Sequence, residues 1–225
     1  MDNQRDYDLY RDIQTRCNGE IYIGVVGPVR TGKSTFIKRF MDLLVLPHIE
    51  DEFERERAND ELPQSAGGKT ITTTEPKFIP KEAASISLGE GAQARVRLID
   101  CVGYMVEGAA GHMENGEERM VKTPWSEEEI PFTQAAETGT RKVIADHSSV
   151  GIVVTCDGSF TEIGRQQYEP AEERTVRELK KLNKPFIVLL NTTKPYSEET
   201  GKLAEVLSEK YQVSCLLYTS PSPRD

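Results

Sequence analysis

Gly27-Pro28-Val29-Arg30-Thr31-Gly32-Lys33-Ser34 satisfies G-x-x-x-x-G-K-[ST] at every fixed position. Each fixed residue type has a chemical reason. The glycines let the backbone wrap closely, so that successive N–H groups and a helix N-terminus converge on a phosphate. Lys33 brings a cation to β- and γ-phosphates, and the hydroxyl of Ser34, next to Thr35, suits Mg²⁺. The alternative is a glycine-rich turn that binds nothing, and the flanks speak against it. A strand-length apolar run, Ile21-Tyr-Ile-Gly-Val-Val26, enters the loop, and Thr35 to Leu44 leaves it with helical spacing.

Three further stations belong to the same chemistry. Asp100-Cys101-Val102-Gly103 closes an apolar strand, so its carboxylate can hold Mg²⁺ and the Gly103 N–H can sense a γ-phosphate. Between the loop and this strand lie Thr70, Thr72, Thr73 and Thr74. Thr73 and Thr74, just before Glu75-Pro76, are the favoured pair for completing the metal shell, Thr73 first; a Thr-rich edge segment is the competing reading. Asn191-Thr-Thr-Lys194 then stands where a guanine-reading N-K-x-D element would fall, but without its carboxylate. A guanine edge would be left unmatched there, so guanine preference is not expected. Tyr104 occupies the place of a water-positioning Gln, which predicts slow hydrolysis. Arg30 is read either as a transition-state cation or as a solvent contact.

These residues need elements to position them. Glu50 to Glu61 reads as a solvated helix whose charge run needs no functional explanation. Ala83–Leu88 and Ala94–Ile99 alternate as a hairpin across Gly89-Glu-Gly91, and Tyr104 to Phe132 reads as a long loop. Helical segments follow at Thr133–His147, Glu172–Leu182 and Ser197–Tyr211, with buried strands at Val150–Thr155 and Pro185–Leu190. Strands alternating with helices predict an α/β fold, a mostly parallel sheet covered on both faces. Ligands in that architecture sit at the carboxyl ends of strands, where Gly27, Asp100 and Asn191 all fall.

The bulk numbers narrow the class. A length of 225 residues suits one large domain, and 37% apolar with 29% charged residues describes a globular chain with a polar surface. A net charge of −9 and the lack of a Lys/Arg cluster argue against nucleic-acid binding. Apolar stretches are strand-length and the N-terminus is polar and acidic, so neither a membrane span nor a secretory signal is expected. Cys17, Cys101, Cys156 and Cys215 lack metal-ligand spacing and read as reduced thiols; His48, His112 and His147 are isolated.

Taken together, the longer strings resemble the stage IV sporulation protein A family across about residues 20–213. They are Gly24-Val-Val-Gly-Pro-Val-Arg-Thr-Gly-Lys-Ser-Thr-Phe36, Asp60-Glu-Leu-Pro-Gln-Ser65, Thr73-Thr-Glu-Pro-Lys-Phe78, Asp100-Cys-Val-Gly-Tyr104, Thr123-Pro-Trp125, Gly139-Thr-Arg-Lys-Val-Ile144 and Glu172-Glu-Arg174. The resemblance implies a P-loop NTPase fold of the GTPase-like, TRAFAC-type class. It implies an ATPase using ATP and Mg²⁺, with Lys33, Asp100 and Thr73/Thr74 at its Walker A, Walker B and sensor positions. It further implies self-assembly into static filaments that form the basement layer of the spore coat. The place implied is the mother-cell cytoplasm, at the outer forespore surface, with no nucleic-acid partner. Partners implied are other copies, a small amphipathic membrane-anchoring peptide and other coat proteins; membrane association is peripheral, through partners or regions this chain lacks. Two departures accompany it. Family members are about twice as long, so residues 1–214 read as an ATPase-domain fragment, and Cys215 to Asp225 resembles translated sequencing-adapter read-through, expected outside the domain. A guanine-nucleotide switch and a structural coat protein with a vestigial site are the competing functions.

Overall fold

The computed structural model describes residues 19–63, 75–89, 92–114 and 116–219. The first apolar run forms β1 (Glu20–Val26) and the phosphate-loop motif leads into α1 (Lys33–Phe40). The helical path continues through a π-helical turn at Met41–Val45 and a 3₁₀ turn at Leu46–His48, where Pro47 ends it. Helix α2 (Glu52–Asp60) starts at Asp51, whose carboxylate accepts from the Glu54 N–H at 2.7 Å. Only Ala58 of α2 is buried, as expected of a solvated helix. Its charges nevertheless have a structural use. Glu61 accepts from the Lys81 N–H at 2.6 Å and Glu54 from the Ser85 N–H at 3.2 Å, which covers donors along an exposed strand edge.

That edge belongs to β2 (Lys77–Gly89), antiparallel to β3 (Ala92–Asp100) as a hairpin. Strand β2 begins earlier than alternation suggests and tolerates Pro80 at a register break on the sheet edge. The stretch expected as loop holds two small hairpins, β4 (Met113–Glu114) with β5 (Glu117–Glu118), and β6 (Met120–Thr123) with β7 (Ser126–Pro131). Helix α3 (Phe132–Lys142) runs into a π-helical turn at Val143–His147, and β8 (Val150–Cys156) follows. Helix α4 (Arg165–Lys181) begins seven residues before the expected Glu172 and contains Pro170. The missing N–H is tolerated because Tyr168, Ala171 and Glu172 are buried on one face, with Glu172 pairing Arg165 two turns earlier. The chain ends with β9 (Phe186–Asn191), α5 (Glu198–Tyr211, capped by Ser197) and β10 (Cys215–Tyr218).

Six strands form one sheet in the order β10-β9-β8-β1-β3-β2, parallel except for β2. This is an α/β P-loop NTPase fold. The sheet extends past the expected boundary at residue 214, because Cys215–Tyr218 pairs with Val188–Asn191 as a sixth strand. Residue parity divides the core. Val26, Ile99, Val153, Val188 and Leu190 face the π-helical turn at Val143–His147, α4 and α5; Val25, Leu98, Val154 and Leu189 face α1 and α2. Register then aligns the strand ends: Val25 pairs with Asp100, Val26 with Val153, and Cys156 with Asn191. Among the described residues no helix is long and apolar enough to cross a membrane.

Candidate functional site

All of the described motif residues meet at the carboxyl ends of β1, β3 and β9. Gly27 leaves β1 with φ 131, and a Cβ there would lie 2.3 Å from the Val154 carbonyl oxygen, so only glycine fits. Positive φ at Arg30 (60) and Gly32 (87) turns the loop back into α1, whose N-terminus faces the bend. Two bonds fasten this loop to the end of β3. Val29 N–H donates to the Tyr104 carbonyl at 2.9 Å, and Tyr104 N–H donates to the Gly27 carbonyl at 3.2 Å. The Pro28 carbonyl accepts from Thr31 Oγ1 at 3.0 Å and from Lys33 Nζ at 2.5 Å. From the far side, Asn191 Nδ2 donates to the Thr31 carbonyl at 3.0 Å. Asn191 thus shapes the loop from below and leaves its amide committed there.

Burial works against both charges at this point. Lys33 is buried, which pushes its ammonium below the usual lysine range, with Cys101 and Asp100 opposing the shift. Burial raises the Asp100 carboxyl, against the Ser34 hydrogen bond and the Lys33 charge, which lower it. Ser34 Oγ donates to Asp100 Oδ2 at 2.6 Å. Asp100 Oδ1 is buried and accepts no hydrogen bond. A hydroxyl, a carboxylate with a spare oxygen and a lysine therefore share one small space. Those donors fit Mg²⁺: Ser34 and Asp100 would hold it, the rest of its shell coming from phosphate and water. When bound, such an ion neutralises developing phosphate charge. Thr35 is partly exposed in the first turn of α1. Thr70, Thr72, Thr73 and Thr74 lie outside the described residues.

Gly103 and Tyr104 differ from their expected settings. A Cβ on Gly103 (φ 99) would sit 2.3 Å from the Gly27 carbonyl oxygen and 2.7 Å from Lys33 Nζ, which puts this glycine against the phosphate space. Its N–H, however, donates to Thr140 Oγ1 on α3 at 3.1 Å. The Tyr104 side chain turns inward. It is buried, its hydroxyl donates to Glu178, and the Arg174 guanidinium lies 4.1 Å from its ring centroid. Burial and the Glu178 carboxylate hold the phenol far above its usual range. No water can be positioned by a hydroxyl aimed into α4. Arg30 donates to the Ala110 carbonyl at 3.0 Å, so it braces the loop against the segment after β3.

Two further participants take no role from sequence. Thr140 lies in the string Gly139-Thr-Arg-Lys-Val-Ile144, which carries the resemblance but points to no chemistry. Asp157, directly after β8, accepts from Ser159 N–H at 2.9 Å and from Thr192 Oγ1 at 2.6 Å. Its place at a strand end is the one signal the sequence offers for it. Each of its oxygens accepts one bond that fixes the loop beside Asn191.

Comparison with known proteins identifies the family. The profile of the family described as "Stage IV sporulation protein A, ATPase domain" matches residues 3–221. Stage IV sporulation protein A of Bacillus anthracis is 55% identical over 218 residues, covering 97% of this chain and 44% of that protein. The Clostridioides difficile (strain 630) protein of the same name is 56% identical over 209 residues, covering 93% of this chain and 43% of its own length. The chain therefore spans less than half the length of the curated relatives it matches. Among solved structures it is similar to a mutation variant of SsGBP, with TM-score 0.48 and 13% identity over 96% of this chain and 54% of that one. It is also similar to a dimerization-deficient mutant of Toc33 from Arabidopsis thaliana, with TM-score 0.48 and 10% identity over 96% and 77% of the two chains.

Proposed function

This chain belongs to the stage IV sporulation protein A family and carries its ATPase domain, and on that premise we propose that it binds ATP with Mg²⁺ and hydrolyses it slowly to ADP and phosphate. One observation carries the reading. Lys33, Ser34 and Asp100 converge at one point, the lysine buried and the serine open to solvent, and the buried Asp100 Oδ1 accepts no hydrogen bond. A vestigial site would have no reason to keep a desolvated lysine and a desolvated carboxylate close together, since each is unfavourable without a ligand. ATP is preferred over GTP because residues 191–194 offer no carboxylate to a guanine edge. Slow turnover follows from the inward-facing Tyr104.

For the whole protein, of which this chain is a part, the proposal extends to what the family resemblance implies. Hydrolysis would drive self-assembly of the coat basement layer in the mother-cell cytoplasm, at the outer forespore surface. Other copies, a small amphipathic membrane-anchoring peptide and further coat proteins would be the partners. Support for that extension comes from family membership alone.

Competition titration with a fluorescent ATP analogue, followed by phosphate release with and without Mg²⁺, tests the chemistry. ATP should displace the probe at least as well as GTP, and Lys33→Ala should weaken binding of both. GTP winning by about a hundredfold, near 2.7 kcal/mol, would replace this reading with a guanine-nucleotide switch. Undiminished turnover in Lys33→Ala would remove the site assignment.

A further inference from the structure

We propose that Thr140 sets how strongly the site distinguishes ATP from ADP, by competing with a γ-phosphate oxygen for the N–H of Gly103. The proposal rests on the nucleotide-site reading above and adds to it a residue to which that reading gives no role. Thr140 is fully buried on α3. Its hydroxyl has one proton, and that proton goes to the Ala136 carbonyl at 2.8 Å. Only lone pairs are left, so toward Gly103 it acts as an acceptor, and the 3.1 Å contact from the Gly103 N–H uses it as one. The donor is equally limited. A single N–H serves one strong acceptor at a time.

Gly103 stands between two environments. On one side its Cα abuts the phosphate space, where an added Cβ would meet Lys33 Nζ at 2.7 Å. On the other its N–H is held in the interior by Thr140. Glycine at φ 99 can rotate the preceding peptide unit with little steric penalty, which a side chain would forbid. A γ-phosphate oxygen beside Lys33 is a charged acceptor and outcompetes a neutral hydroxyl. ADP brings no such oxygen, so the bond to Thr140 persists. Binding of ATP must break a buried hydrogen bond that binding of ADP leaves alone. Thr140 therefore taxes one nucleotide and not the other, and the transfer loosens the tie between α3 and the segment after β3.

Equilibrium titration of the whole chain with Mg²⁺ and either AMP-PNP or ADP tests this. Thr140→Val keeps the shape but removes the acceptor. It should tighten AMP-PNP about tenfold, the worth of about 1.4 kcal/mol, and leave ADP unchanged; Thr140→Ser should restore the wild-type ratio. Wild-type binding of both nucleotides with an unaltered ratio in the valine variant would overturn the role of Thr140 alone. A wild type that binds neither nucleotide would overturn the site reading and this proposal with it. A measurement on the wild type covers the case of a valine variant that does not fold. The Gly103 amide resonance should move with AMP-PNP and hold its position with ADP, and an amide that responds alike to both overturns the transfer.

Discussion

Ser34 Oγ donates to Asp100 Oδ2 at 2.6 Å, and the second oxygen of the same carboxylate is buried without a hydrogen bond. The pair joins the first turn of α1 to the end of β3 and leaves half of a carboxylate unused. Replacing Asp100 by Asn keeps the shape and removes the charge. We expect Mg²⁺-dependent phosphate release to fall roughly a hundredfold, about 3 kcal/mol of charge stabilisation. Burial raises this carboxyl, which means that its charged form opposes folding at neutral pH. The Asn variant should therefore melt no lower than the wild type. A lower melting temperature in calorimetry would mean that the charge stabilises the ligand-free fold.

Tyr104→Phe separates structure from chemistry. The hydroxyl that donates to Glu178 is lost, at a cost of about 1 to 2 kcal/mol in chemical unfolding. Glu178 keeps an ion pair with Arg174 at 3.5 Å, so the helix retains one partner. Phosphate release at saturating nucleotide should be unchanged. Collapse of turnover in a well-folded variant would assign Tyr104 to the reaction.

Arg165 and Glu172 form a buried pair on α4, with nitrogen–oxygen distances of 2.8 and 2.7 Å, and Tyr211 of α5 donates to the same carboxylate at 2.6 Å. Glu172→Ala would leave a mostly buried guanidinium without its anion. The expected loss is about 3 to 5 kcal/mol, read as a lowered denaturant midpoint. Nucleotide affinity of the fraction that remains folded should be unaltered, because the pair reaches the end of β8 at Thr155 and makes no bond to the phosphate loop or to Asp100. A loss below about 1 kcal/mol would show that solvent reaches Arg165.

Cys101 and Cys156 are buried, and burial pushes both thiols up to about 11. Neither should react with iodoacetamide at pH 8 in the folded chain, as counted by mass spectrometry. The sign for stability follows from protons bound. Between pH 9 and about 11 the folded thiols stay protonated while unfolded ones ionise. Their contribution is present below pH 9 and lost as pH climbs through that window. Rapid labelling at pH 8 without denaturant would show that the sheet opens more readily than this core allows.

The phosphate loop, β1, β3, β8 and β9 are legible in the sequence because their signals are local: a fixed motif, apolar runs, and Asp or Asn at the run's end. The helix over Arg165–Lys181 reads short because Pro170 resembles a boundary, and only the buried face explains why it is not one. Hairpins within 113–131 leave no pattern, because strands of two residues, or Ser126-Glu-Glu-Glu-Ile-Pro131 with its exposed carboxylates, carry no alternation. Strand β10 has an unusual sequence, yet extended apolar residues beside β9 suffice for pairing. Thr140 belongs to a string that carries the family resemblance, yet nothing in that string signals its role. Its role depends on which helix face the sheet covers, a fact of packing that no spacing records.

Asn191 meets Thr31 across 160 residues of chain. During synthesis, the phosphate loop is made early and its brace late, after β8 and α4 have been laid down between them. A partly made chain would hold the complete motif yet lack the bond that shapes it. A loop shaped in this way reports on the far end of the sheet, since its brace exists only in a chain whose sheet reaches from β3 through to β9.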